Sequence, residues 1–376
     1  MDAGIRVIED NRSRRCYICH CLLDEWKEGI SLCPSCLALN NEKRAQLQKR
    51  DDSLEGRFVL VTGGRIKIGF ETALSLLRKK AKVMITTRFP ADAAKRYASE
   101  EDFEQWADNL TIYGIDFRSI LLVNKMIDWM NVHLPYLDIL INNAAQTIAR
   151  PEEYYSHLNK LEHDEFSRLA EVNKRMLIVG RALSLQKETK GYLRRFFPEG
   201  IYDEEGMPLD LRRKNSWTER LWDVSVKEFL EVQLINVTVP FMLCSRLVDL
   251  MRKSPRDQKY VINVSAMEGR FSKYKKNGFH PHTNMAKAAL NMMTRTAAED
   301  YRKMNIYMNS VDTGWVTDEN PVHIKKKNQR GGLCPPLDCI DGAARICDPF
   351  LVSIYDKNRM PRYGEFLKDF HRIKNW

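Results

Sequence analysis

The 376-residue chain has no run that approaches the roughly 18 uninterrupted apolar residues of a membrane span, so no transmembrane segment is expected. Its first fifteen residues mix Asp2, Glu9 and Asp10 with Arg6, Arg12, Arg14 and Arg15, which excludes a secretory signal and fits a transit peptide poorly. An even disulfide framework is also missing. Five of the nine cysteines crowd between Cys16 and Cys36, while Cys244, Cys334, Cys339 and Cys347 are scattered, which points to a reducing, intracellular and cytoplasmic setting. Residues 1–50 lack a basic excess, with nine Lys/Arg against seven Asp/Glu.

The net charge of +10 arises later in the chain. Residues 252–276 hold eight Lys/Arg against Asp257 and Glu268, and a Lys325-Lys326-Lys327 run follows. Solvated surface is the plainest reading; a phosphate-bearing cofactor, an acidic substrate or RNA are the alternatives. With 44% hydrophobic and 29% charged residues the composition is that of a soluble globular protein with one large core.

Cys16-Tyr-Ile-Cys19, thirteen residues and Cys33-Pro-Ser-Cys36 supply two thiolate pairs in the spacing of a tetrahedral metal site, and Zn²⁺ is the expected ion. Four protein ligands make such a site structural, because a catalytic zinc keeps one position open. His20 and Cys21 are competing ligands beside the first pair. A segment this short has too little core to fold without metal. Residues 1–39 therefore read as a zinc-binding module, which without a basic excess docks against protein rather than RNA. Polar residues 40–55 read as a linker.

From residue 56 the pattern changes. Gly56-Arg-Phe-Val-Leu-Val-Thr62 is a short apolar strand, and Gly63-Gly64-Arg65-Ile66-Lys67-Ile68-Gly69 leads from it into an amphipathic helix. Glycines at such a junction let backbone amides approach a pyrophosphate at a positive helix end. A second strand, Lys82–Thr87, ends at Arg88. An acid there would hold a free ribose hydroxyl, whereas a guanidinium suits a 2′-phosphate, so NADP(H) is expected ahead of NAD(H). Alternating strands and helices imply an α/β, doubly wound parallel sheet of Rossmann type.

The ordered motifs resemble the short-chain dehydrogenase/reductase family: Thr62 to Gly69, Asp116 after the third strand, Asn142-Asn143-Ala144-Ala145, Asn236-Val-Thr-Val-Pro240, Tyr260 to Ser265, Lys287-Ala-Ala-Leu290, and Asp312-Thr-Gly314-Trp-Val-Thr317. The resemblance covers residue 54 to the carboxyl end. It implies that Gly63, Gly64, Arg65, Lys67, Ile68 and Gly69 border the pyrophosphate, Asp116 the adenine, and Asn142 and Ala144 the adenosine ribose. It places Lys287 at the nicotinamide ribose and Gly314 and Thr317 at the nicotinamide. Lys67 stands where the family usually has a glycine, and its amine reaches either a phosphate or water.

The resemblance also implies hydride transfer between nicotinamide and a carbonyl or alcohol carbon, assisted by a tyrosine, a lysine, a serine and an asparagine. Here Asn236 and Lys287 survive, but Thr283 stands four residues before the lysine where the tyrosine belongs, and Ala266 replaces the serine. A threonine hydroxyl is far too weakly acidic to replace a phenol, and loss of a positioned acid costs about 10² to 10⁴ in rate. His282, Tyr274 and His280 are the replacement candidates, His282 foremost, because imidazole titrates near neutrality. Ser265, one place along the strand, is expected to face away from the substrate.

Residues 150–222 exceed a minimal family member and read as a helical insertion beside the cleft, with a helix expected over Asp164–Thr189 and an apolar face of Leu169, Val172, Met176, Leu177 and Val179. Tyr154, Tyr155, His157, Arg194, Arg195, Phe196 and Phe197 read mainly as packing groups. The reading that emerges is an atypical NADP(H)-dependent oxidoreductase. The alternatives are a catalytically inactive cofactor-binding scaffold or sensor that engages a protein partner, and an RNA- or ribosome-associated protein. A homo-oligomer is compatible with each.

Overall fold

A computed structural model of the chain describes residues 15–23, 31–164, 177–179, 195–198, 200–272 and 276–376. Among these residues one sheet of nine strands runs in the order β5-β3-β2-β1-β4-β6-β7-β8-β9. The strands are β1 (Phe58–Thr62), β2 (Lys82–Thr87), β3 (Leu110–Gly114), β4 (Ile139–Asn142), β5 (Leu177–Val179), β6 (Lys259–Ser265), β7 (Ile306–Asp312), β8 (Phe366–Lys368) and β9 (His371–Arg372). All pairs are parallel except β8 with β9. The strand sequences are near-continuous apolar runs, as expected when helices cover both faces of a parallel sheet.

Two apolar layers result. On one face the helices Lys67–Leu77 and Cys339–Tyr355 pack through Leu74, Leu76, Leu77, Ile346 and Phe350 against Val59, Val61 and Ile262. On the other, the helices Ile120–His133, Val239–Arg252 and Pro281–Lys303 pack through Ile127, Leu243, Leu247 and Ala298 against Leu60, Leu140 and Val261. Residues Val226–Arg252 are long and apolar enough to cross a membrane by composition alone. Here Val239, Leu243, Leu247 and Leu250 are buried against the sheet. A π turn interrupts this helix at Leu234–Thr238. Pro240 follows it, and its missing N–H cannot close an α-helical bond to the carbonyl four residues back.

Two expectations change. Residues 40–55 read as a linker from their polarity, yet the helix Pro34–Gln48 runs through the first half of that stretch and buries Asn40 and Leu47. Some of its polar residues face partners rather than water: Asn40 donates to Asp341 at 2.8 Å, Arg345 donates to Asn40 at 3.0 Å, and Lys43 pairs with Asp348 at 2.7 Å. Leu177 and Val179, assigned to a helical face, lie instead in β5, the edge strand, which pairs with β3. An open strand edge offers backbone partners that helical periodicity does not register. Leu169, Val172 and Met176 lie outside the described residues.

Candidate active site and four-cysteine cluster

The carboxyl ends of β1, β2, β4, β6 and β7 bring the dispersed motifs to one edge of the sheet. The chain turns after β1 at Gly63, with φ of +70°, and enters the next helix through Lys67, with φ of +55°. Lys67 thus adopts the left-handed backbone that suits a glycine, at the strain of about 1 kcal/mol or more that a Cβ brings there. Gly69 permits the tight strand-to-helix approach, since a Cβ on it would lie 2.2 Å from the Gly63 carbonyl oxygen. Ile68 packs beside Gly342 and Val316, so it supports the turn from behind. The Lys67 amine lies 3.7 Å from Glu319, which closes the segment after β7 onto the turn after β1.

Arg65 and Arg88, both expected near phosphates, have different environments. Arg65 is buried and pairs with Asp92 at 2.5 Å, so its charge is already matched. Arg88 is partly exposed and forms no ion pair among the described residues; its guanidinium lies 4.3 Å over the Tyr155 ring and 5.3 Å from that of Phe89. The described part of the insertion builds this wall. Tyr154, Leu158, Phe197 and Met207 cluster on Phe89 at the end of β2, while Asn215 donates to the Glu319 carbonyl at 3.0 Å. Asp116 accepts from Arg118, which holds its carboxyl below the usual range against the effect of burial. Asn142 donates to Asn263 at 2.8 Å, and the Ala144 amide donates to Thr62 Oγ1 at 3.0 Å, which joins the ends of β1 and β4.

At the centre, Asn236 in the π turn accepts from the Gln146 amide at 2.7 Å and donates to its carbonyl at 3.1 Å, fixing the loop after β4. Lys287 is buried, and its amine donates to the Val264 carbonyl at 2.8 Å. Burial drives its pKa down to about 8, opposed by Asp312 and Glu268. Thr283 is buried and its hydroxyl has no partner among the described residues. Ala266 precedes a short turn whose Met267 amide donates to Asp312 at 2.6 Å. Ser265 is buried and donates to Asn291 at 2.6 Å on the helix that carries Lys287.

His282 is buried with its Nε2 3.4 Å from Glu228, a partner for which no sequence spacing gave a signal. His280 stacks on Trp217 at 3.9 Å, and burial lowers its pKa to about 4, which makes it a neutral packing group. Tyr274 lies outside the described residues. After β7, Gly314 adopts φ of +80° and packs so tightly that a Cβ would lie 2.4 Å from Leu337; Thr317 donates to Glu319 at 2.8 Å.

The Sγ atoms of Cys16, Cys19, Cys33 and Cys36 lie within 4.8 Å of one another, with Cys19 and Cys33 at 3.7 Å. A tetrahedral zinc with bonds near 2.3 Å requires sulfur separations of about 3.8 Å, so the donor set fits this ion. His20 and Cys21 are not in the set; Cys21 instead offers its carbonyl to the Cys16 amide at 2.8 Å.

Residues 57–188 match the family model described as short chain dehydrogenase, and residues 213–331 match that described as enoyl-(acyl carrier protein) reductase. The chain belongs to the short-chain dehydrogenase/reductase family. An uncharacterized protein of Acanthamoeba polyphaga mimivirus is 33% identical over 319 residues, or 80% of this chain and 64% of that protein. Versicolorin reductase of Emericella nidulans is 30% identical over 122 residues, or 32% of this chain and 43% of that enzyme. The matches thus span less than two thirds of these relatives. Among solved structures, the RhlG/NADP active-site complex of Pseudomonas aeruginosa aligns with a TM-score of 0.54 at 19% identity, covering 85% of this chain and 97% of that one. A short chain dehydrogenase of Burkholderia cenocepacia in complex with NADP aligns with a TM-score of 0.54 at 18% identity, covering 84% and 97%. At these identities the two structures establish the dehydrogenase/reductase fold.

Proposed function

We propose that this short-chain dehydrogenase/reductase binds NADP(H) along the carboxyl ends of its central strands and reduces a carbonyl compound, or oxidises the corresponding alcohol, without the family's tyrosine. The observation that carries the reading is Arg88: a cation just past the end of β2, the neighbour of β1, free of ion pairs among the described residues and stacked on Tyr155. A phosphate on the adenosine ribose supplies the charge that this guanidinium lacks.

In this reading the backbone after Gly63 and the helix start at Lys67 receive the pyrophosphate, while Lys287 reaches the second ribose. The coenzyme supplies or accepts the hydride. The proton then comes to the substrate oxygen from a protein group. Thr283 is unsuited by its acidity, and Ala266 donates nothing. Lys287, with a pKa near 8, matches proton transfer close to neutral pH far better than an ordinary lysine. His282, on the same helix as Lys287, lies 3.4 Å from Glu228 of the helix Val226–Gln233 and is the further polar group buried near this centre.

Zinc bound by Cys16, Cys19, Cys33 and Cys36 acts as a structural staple in this proposal, since all four positions are filled by protein. A second reading, binding without turnover, is favoured by the Lys287 amine, whose bond is to Val264 rather than to any side chain. Calorimetry with NADPH and NADH, followed by turnover with a panel of carbonyl substrates, separates the readings. NADPH binding with turnover that falls in Lys287→Ala supports the oxidoreductase. Binding without turnover supports the scaffold, and no heat with either coenzyme removes both.

A further inference from the structure

The loop between β7 and the helix Val322–Arg330 forms one wall of the proposed coenzyme cleft, because Glu319 reaches Lys67 at the glycine turn and Val316 approaches the same neighbours as Ile68. The backbone of Trp315 is held from outside this wall. Its amide donates to the hydroxyl of Tyr17 at 2.8 Å, and Tyr17 lies between two of the four clustered cysteines. The ring of Tyr17 is itself held. Lys368 sits 4.9 Å over it while pairing with Asp369 at 2.8 Å, and Leu337 and Val316 pack against Cys16, Leu32 and Cys33. Asp312, at the end of β7, continues the connection: it accepts from Gly314 at 2.7 Å on one oxygen and from Met267 at 2.6 Å on the other.

We infer that Tyr17 is a positioning residue of the coenzyme site: the cysteine knuckle presents its hydroxyl as the acceptor that sets the loop Gly314–Thr317 against the nicotinamide half of NADP(H). The inference rests on the proposed coenzyme reading. Its physical basis is that Gly314, lacking a Cβ, restricts this loop less than another residue would, and a fixed acceptor on the next amide holds it in one conformation. The four-cysteine cluster thereby contributes to the binding site through Tyr17.

The test is Tyr17→Phe in the full, metal-replete chain, which keeps the ring between Lys368 and the cluster and removes only the acceptor. Dissociation constants are measured for NADPH and for adenosine 2′,5′-bisphosphate, which carries the same 2′-phosphate but no nicotinamide. Loss of one hydrogen bond that orders the loop should weaken NADPH by about three- to tenfold and leave the bisphosphate unchanged. Amide exchange over Gly314–Val316 in the coenzyme-free protein should accelerate in the variant. Equal affinities for NADPH in both proteins, or equal weakening of both ligands, overturns the inference. If the unmodified protein binds neither ligand, the coenzyme reading fails and takes this inference with it; if it binds both and only the variant comparison is flat, the coenzyme reading survives alone.

Discussion

Lys287 allows a stability prediction worked from burial. Its pKa falls from the ordinary 10.5 to about 8 because the ammonium is desolvated, with Asp312 and Glu268 only partly compensating. That fall is worth about 3 kcal/mol in favour of the neutral amine. Below pH 8 both the folded and unfolded chains carry the proton, so the fold bears the whole penalty. Between pH 8 and 10.5 the folded chain releases its proton first, the unfolded chain holds more protons, and stability rises with pH. Above 10.5 the penalty is gone. Lys287→Met removes the charge and also the bond to Val264, worth about 1 kcal/mol. The coenzyme-free variant should therefore be more stable than the parent by about 2 kcal/mol at pH 7.5, and that advantage should vanish or reverse by pH 10.5. Urea unfolding of both proteins at several pH values measures the difference, in which the raised pKa values of buried tyrosines such as Tyr260 cancel. A gap that stays constant across this window would refute the assignment of a desolvated ammonium to this site.

Further outcomes follow from individual contacts. Arg88→Asp should narrow or reverse the preference for NADPH over NADH, read by calorimetry; equal affinities in the unmodified protein would remove the 2′-phosphate argument. Lys67→Gly should raise stability by up to about 1 kcal/mol, since relief of the left-handed strain outweighs glycine's greater chain entropy, as measured by thermal unfolding. Asn40→Leu should lower stability by about 2 to 4 kcal/mol, because Asp341 and the buried Arg345 each lose a partner; an unchanged midpoint in urea would contradict the role given to this helix. Elemental analysis should find one zinc per chain, and chelation should lower the melting temperature; freshly purified protein without zinc would exclude the staple.

Much of the fold was written in local pattern. Apolar strands, each followed by a helical period, and glycines at the β1 turn define the doubly wound sheet, because strand burial and backbone approach depend on residue type at short range. The paired cysteines were equally legible from their spacing, and the fold brings all four thiols together. The absence of the tyrosine and serine was visible as Thr283 and Ala266. Tertiary structure decided the rest. Arg65 and Arg88 look alike in sequence, and only the fold gives one an aspartate and leaves the other over an aromatic ring. Polar Asn40 reads as linker until Asp341 and Arg345, some three hundred residues away, satisfy it in the core. Glu228 becomes the partner of His282, and Tyr17 that of Trp315, through the same long-range packing. Hydrogen bonds and desolvation act over a few ångströms in space, so residues far apart in the chain acquire their chemistry only when the sheet brings them together.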